Sequence, residues 1–518
     1  MKKNIILLLS TVFILLFSAC DVDADINKNP NGPEIAPTGG IFNSAVKEYL
    51  DRSRSGFTSG RLTLPWMQYW GQTAYADEDR YLYRESTAQS YYTTSYTVAQ
   101  DLKSIIDINI NSPVKNENEI AISRIMLCYI FHQLTDTFGD IPYYSFGSDD
   151  ADFQALDTEK FIAPIFASQQ KIYADLLKEL KEAAAQININ KSAFAGGGDK
   201  IYNGNGANWK KFANSLTLRI ANRLRGVDNA TAISAINSAI SSGVFTSNSD
   251  NAKLQYESTD ANASPFWRAF LTRTDFAVTQ PFVELLKGDK GNFGLDPRLF
   301  KMVAPKSASI KSIKEKTYTK STNPADYVGI PYAFPLANKL KFTDYSFGSS
   351  NIIKPDYEEV LMEYAEVAFI ISEHKNWDDT EYKNGVRASM ERWGVPASEI
   401  TSFLASLPTA NEENVLNQKY IASYMQPHNA WAEYRRTGFP STLIKVNETV
   451  TLDANQATSA GVTTYVFEPR VAGLTDLPFR LSYPQILQSL NKDNRNDAVV
   501  KLGAEGDTQK SKLYWDVN

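Results

Sequence analysis

The 518-residue sequence predicts a mostly α-helical globular domain with long irregular stretches on its surface. Three observations carry that expectation. Apolar residues recur at three- and four-residue spacing through several segments of fifteen to twenty-odd residues. Between Ser247 and Asp356, and again after Phe439, the periodicity gives way to Gly, Pro, Asn and aromatic residues. The composition, 43% hydrophobic and 22% charged, is that of a folded chain able to bury about three-quarters of its surface.

The chain opens with a charged Lys2-Lys3 and a largely apolar run, Ile5 to Phe17. As a helix that run spans only ~20 Å against a hydrocarbon core of ~30 Å, so residues 1–19 read as a cleaved signal peptide, not a membrane span. It ends in Phe17-Ser18-Ala19-Cys20, a pattern that resembles the bacterial lipobox with Phe17 in place of the usual Leu. Cys20 is therefore expected to be the lipidated first residue of the mature protein. The alternative is an ordinary cleavage site beside a chance cysteine. With Cys20 acylated, Cys128 is the only remaining thiol, and its apolar surroundings favour a packing role. Residues 20–40, acidic and then rich in Pro and Asn, read as a tether. The alternating Asp21, Asp23 and Asp25 do not form a calcium loop, because Ile26 stands where Gly is needed and Gly32 where Glu is needed.

A single domain is expected over 41–518. The periodicity predicts helices over Glu119–Phe138, Ile165–Ile187, Asn208–Arg225, Tyr357–His374, Glu381–Trp393 and Asn411–Met425, paired as hairpins. Loops over such a scaffold are where a binding surface belongs.

Function classes narrow by elimination. A net charge of −6 without a long basic run argues against nucleic acid as a partner. The three histidines, His132, His374 and His428, are scattered, and no zinc, nucleophile-elbow or phosphate-loop motif is present, so no catalytic residue, metal or cofactor is assigned. A glycosidase, which needs only two carboxylates, is the enzyme alternative.

Several motifs together resemble the SusD/RagB-like outer-membrane lipoproteins. They include Phe138-Gly139-Asp140-Ile141-Pro142-Tyr143, Trp209 to Leu216 with Arg219 and Arg223, Asp296-Pro297-Arg298, and Tyr364-Ala365-Glu366-Val367. Gln418-Lys419-Tyr420, Glu433 to Pro440, Pro478 to Pro484 and Asn491 follow in family order, and Gln68 to Gln72 resembles one branch of the family. The resemblance implies a SusD-like fold with tetratricopeptide-like helical hairpins and a loop-rich ligand face. It also implies a cell-surface lipoprotein, held to the membrane only by its lipid, that delivers glycans or, in the RagB manner, peptides to a SusC-like TonB-dependent barrel. The aspartates after Cys20 resemble a surface-export signal.

Most of these motifs have structural readings: Gly139 and Asp140 stop a helix, and Arg219, Arg223, Arg435 and Arg436 pair with carboxylates such as Glu366 or Glu433. The segment from Trp66 to Tyr83 holds six aromatic rings in eighteen residues, interleaved with polar side chains. Trp66, Trp70, Gln72, Tyr75 and Tyr81 are accordingly candidates for ligand contact, against a reading of Trp66 and Trp70 as helical core. Trp267 and Arg268, and Tyr332 within Tyr327–Tyr345, are the further candidates.

Overall fold

The computed structural model describes residues 37–517; the signal peptide, Cys20 and most of the expected tether lie outside them. Six long helices follow in order: α1 (Thr38–Ser53), α2 (Glu85–Asn111), α3 (Glu117–Phe138), α4 (Gln169–Gln186), α5 (Gly206–Arg223) and α6 (Asn229–Ser242). Each packs on the next, making one continuous layer. A second group comprises α7 (Tyr364–His374), α8 (Asp379–Arg392), α9 (Ala397–Ser406), α10 (Glu412–Ala422) and α11 (Pro427–Thr437), and α7 joins it to α5.

Local chemistry explains the helix limits. Asn116 caps α3 by accepting from the backbone N–H groups of Asn118 and Glu119, and Glu117 and Glu119 complement the N-terminal dipole. At the other end Gly139, at φ 90°, makes a turn that a side chain would strain, and the Asp140 carboxylate accepts from the Gln169 N–H at 2.8 Å, so the exit from α3 is bonded to the start of α4. Every residue of α3 from Asn118 to Phe138 is buried, which makes it the central helix.

Between the two groups runs a core of paired charges. The Arg219 guanidinium forks onto Glu366 at 2.7 and 2.6 Å. Arg223 pairs with Glu433 and Asp136, and Arg436 with Glu373 and Glu433. Arg435 adds main-chain and ring contacts: its Nη1 donates to the main-chain carbonyls of Asp136 and Phe479, and its guanidinium lies 3.6 Å from the Trp431 ring centroid. These contacts give the family arginines the structural role expected of them.

Three short antiparallel pairs complete the fold: β1 (Trp70–Gln72) with β3 (Phe276–Val278), β2 (Ala252–Gln255) with β4 (Glu358–Met362), and β5 (Thr449–Thr451) with β6 (Thr464–Val466). One expected helix is thereby corrected. Residues 358–362 are a strand, with Lys253 opposite Val360 and Leu254 opposite Glu359, and helix begins only at Tyr364. A short apolar run is compatible with either state until a partner strand is known. Helix α1 starts at Thr38, so Thr38–Gly40 are helical where tether was expected.

Candidate functional site

Strands β1 and β3 set the 66–84 segment beside residues 265–280, with Trp70 opposite Val278 and Gln72 opposite Phe276. The short helix Pro265–Ala269 starts at Ser264, whose hydroxyl donates to the Lys354 carbonyl at 2.8 Å. Phe266 and Phe270, four residues apart, face inward. Their rings lie 4.8 and 6.1 Å from that of Trp70, with Phe276 closing the cluster. The intervening Trp267 and Arg268 therefore point outward.

Two cavities flank this helix. One, of about 400 Å³, is lined by Trp267, Leu271, Arg273, Ile310, Lys311 and Lys314 among others. The half-buried Trp267 ring donates its Nε1–H to Asp260 at 2.9 Å and carries the Lys314 ammonium 4.7 Å from its centroid. The other cavity, of about 450 Å³, lies between Asp51, Arg52, Phe57 and Arg268. There Arg268 pairs with Asp51 at 2.6 Å, and Phe57 is exposed with the Arg61 guanidinium over its ring. Tyr75, 57% exposed, belongs to the same face: its loop is tied down by Thr73, which donates through N–H and hydroxyl to the main-chain carbonyls of Asp275 and Thr274 at 2.8 and 2.6 Å. Arg273 reaches from the Trp267 cavity to lie 5.6 Å from the Tyr75 centroid, and Asp275 pairs with it at 2.7 Å.

The other candidates are interior. Trp66 stacks edgewise on Trp431 at 4.9 Å, and Trp70 donates its Nε1–H to the Tyr424 hydroxyl at 2.6 Å. Tyr81 packs on Phe467, and its hydroxyl meets that of Tyr332, which also donates to the Asp79 carbonyl. The Gln72 amide donates to Glu78 and Asp79 at 3.0 and 3.2 Å. None of these five side chains is more than 2% exposed, so a ligand on the outer surface has nothing of them to touch. The ligand-contact reading is corrected for Trp66, Trp70, Gln72, Tyr81 and Tyr332. Trp70 packs beneath the face against Phe266 and Phe270, and the other four are core. Burial pushes the Asp79 carboxyl up to about 7. Tyr75, Trp267 and Arg268 remain at the surface.

Arg273, Lys311, Lys314 and Phe57 were not singled out from sequence. A signal existed: residues 301–320 hold Lys301, Lys306, Lys311, Lys314, Lys316 and Lys320 against one acid, Glu315. Their spacing of two to five residues hides them from a search for an uninterrupted basic run.

A helical body carrying an irregular, aromatic, cavity-bearing face defines a binding scaffold. Residues 30–460 match the family model described as SusD-like, "Starch-binding associating with outer membrane", and residues 409–516 match "Susd and RagB outer membrane lipoprotein". The chain belongs to the SusD-like family of outer-membrane lipoproteins. Among solved structures it is similar to a chitin-binding protein, at 22% identity and TM-score 0.72, covering 92% of this chain and 100% of that one. It is likewise similar to a Bacteroidetes SusD-like protein (21%, TM-score 0.73, 93% and 100% covered) and to a chitin-binding SusD homologue from Flavobacterium johnsoniae (20%, TM-score 0.71, 92% and 99% covered). These likenesses establish the fold. No curated protein gives a significant match.

Proposed function

We propose that this protein is a non-catalytic surface lipoprotein, anchored through Cys20, that captures oligosaccharides on the face formed by Tyr75, Trp267 and Arg268. It passes them to a SusC-like TonB-dependent barrel, over which it sits as a lid. The observation that carries the reading is the pair of cavities around the helix Pro265–Ala269, with aromatic rings and paired polar side chains at their rims. Sugar rings stack their apolar faces on aromatic planes while their hydroxyls meet planar polar groups. The chitin-binding proteins among the structural relatives favour a glycan. Peptide capture is the second reading, supported by the RagB match over residues 409–516.

Each platform ring contributes ~0.5–1.5 kcal/mol, taking aromatic pairs as the guide. After association costs, dissociation constants of about micromolar to millimolar follow, weak enough for release into a barrel. The test is calorimetry against a panel of oligosaccharides and peptides, with circular dichroism as the folding control. Trp267→Ala and Tyr75→Ala are expected to weaken binding about two- to twelvefold while staying folded. Trp70→Ala is expected to lose ~3–5 kcal/mol of stability, as a large core deletion. Unchanged affinity in both surface variants would place the ligand elsewhere, and new reducing ends on a glycan would show catalysis.

A further inference from the structure

From the charges around the Trp267 cavity, we infer that its ligand is an acidic glycan, one bearing uronate or sulfate groups. This rests on the binding-face reading and narrows it. The chain as a whole carries −6, yet residues 301–320 carry six lysines against one glutamate, a local excess of +5. The fold places two of these lysines at the site, because Lys311 and Lys314 line the cavity together with Arg273, and Glu315 is the one acid among the lining residues.

The cations are not all neutralised. Arg273 has Asp275, and Lys311 lies 4.0 Å from Glu315, a loose and solvated pair. Lys314, half-buried, reaches only neutral groups among the described residues, the Phe270 carbonyl at 3.3 Å and the Trp267 ring. A partly desolvated ammonium with no ion-pair partner among the described residues is poised to accept a carboxylate or sulfate from a ligand. Its position sharpens the selection. Lys314 covers one face of the indole, so a ligand competing for that face must compensate the ammonium it displaces, which an anionic substituent on the stacked sugar does directly. The same pairing of ring and cation recurs where Arg273 lies over Tyr75, at the other end of the cleft. Each platform thus carries a positive charge at its face, with Asp260 at the edge of the Trp267 ring and Asp275 on Arg273, which leaves Lys314 as the cation open to an anionic substituent.

The experiment titrates the full-length mature protein with four probes: oligogalacturonate, its neutral methyl ester, a chondroitin sulfate oligosaccharide and a neutral chito-oligosaccharide. At least one acidic probe is expected to bind. Its affinity should fall as salt rises from about 0.1 to about 1 M, which shortens the screening length from about 10 to about 3 Å. Lys314→Gln, tested with circular dichroism as the folding control, should weaken the acidic probe about tenfold. Binding of a neutral probe through Trp267, with Lys314→Gln unchanged or tighter and no acidic probe bound, overturns the inference but leaves the glycan-binding face standing. Failure of all four probes overturns both. A fifth arm presents vesicles of anionic phospholipid: vesicle binding that is lost in Lys314→Gln, without binding of either acidic glycan, assigns the patch to a membrane surface and overturns the inference.

Discussion

Glu359 shows how much a single side chain in this fold is held against its solution preference. It sits in β4, buried, with Oε1 unpartnered and Oε2 3.9 Å from the Arg54 Nε, and burial pushes its carboxyl up from 4.5 to about 7. A raised carboxyl means that the folded state favours the protonated acid. Its contribution to stability is therefore complete below the ordinary carboxylate range and is lost as pH rises through about 7. Glu359→Gln keeps the shape and removes the charge. The variant should match wild type near pH 4, and its melting temperature should pull ahead as pH rises to about 7 and then hold level. His132 works in the opposite sense, since burial lowers it to about 4 and its stabilising share is lost as pH falls through that value. Both proteins contain His132, so it cancels in the difference. Melting curves of the two proteins across that pH range measure the difference directly, and a flat difference would mean that the Glu359 carboxylate is better compensated than its geometry indicates.

At the scale of elements, the turn from α3 to α4 is the most demanding. Gly139 combines φ 90° with ψ −127°, and a Cβ there would approach the Leu513 side chain at 3.3 Å. Gly139→Ala should cost about 1–3 kcal/mol in denaturant unfolding, chiefly through backbone strain. A loss below about 0.5 kcal/mol would show that the turn relaxes. This turn was legible in the sequence because glycine and a short acid after a periodic run have a direct conformational meaning. Helices α3, α4, α5 and α8 were legible for the same reason, to within a few residues at each end. Helix α2 was not: its buried stripe is built from Thr87, Ala88, Tyr91, Tyr92 and Ser95 before the first branched aliphatic residue, Val98. Small and hydroxylated residues bury well against a neighbouring helix but give a weak apolar period. Strand β4 was misread as helix because its identity depends on β2, more than a hundred residues earlier. The site divides in the same way. Clustering of rings over 66–83 correctly marked a dense aromatic region, but sequence does not say which side of a packed layer each ring faces. Only the register of β1 on β3, and the four-residue step from Phe266 to Phe270, turn Trp70 inward and Trp267 outward.

At the scale of the whole molecule, the folded body begins at Pro37, and Cys20 and most of the expected tether lie outside the described residues. The body is closed by its own C-terminal segment: Arg480 donates to the Phe138 carbonyl, and the Trp515 indole donates to Asp136 at 3.1 Å, both at the end of α3. Among the described residues no helix is long and apolar enough to cross a membrane. Under the proposed attachment through Cys20, outside the described residues, several acyl chains at ~0.8 kcal/mol per buried CH₂ would supply a stable anchor. Cys128 is buried in α3, where desolvation holds its thiol protonated, so it offers no competing lipid or disulfide chemistry. The expected outcome is that Cys20→Ala accumulates as uncleaved precursor or as soluble protein, while Cys128→Ala stays with the outer membrane. The comparison belongs in a strain lacking the neighbouring barrel, since a lid that docks on its transporter would be retained without lipid. Recovery of Cys20→Ala as mature protein in washed outer membranes of that strain would exclude lipid as the anchor and point to direct adhesion by the folded body.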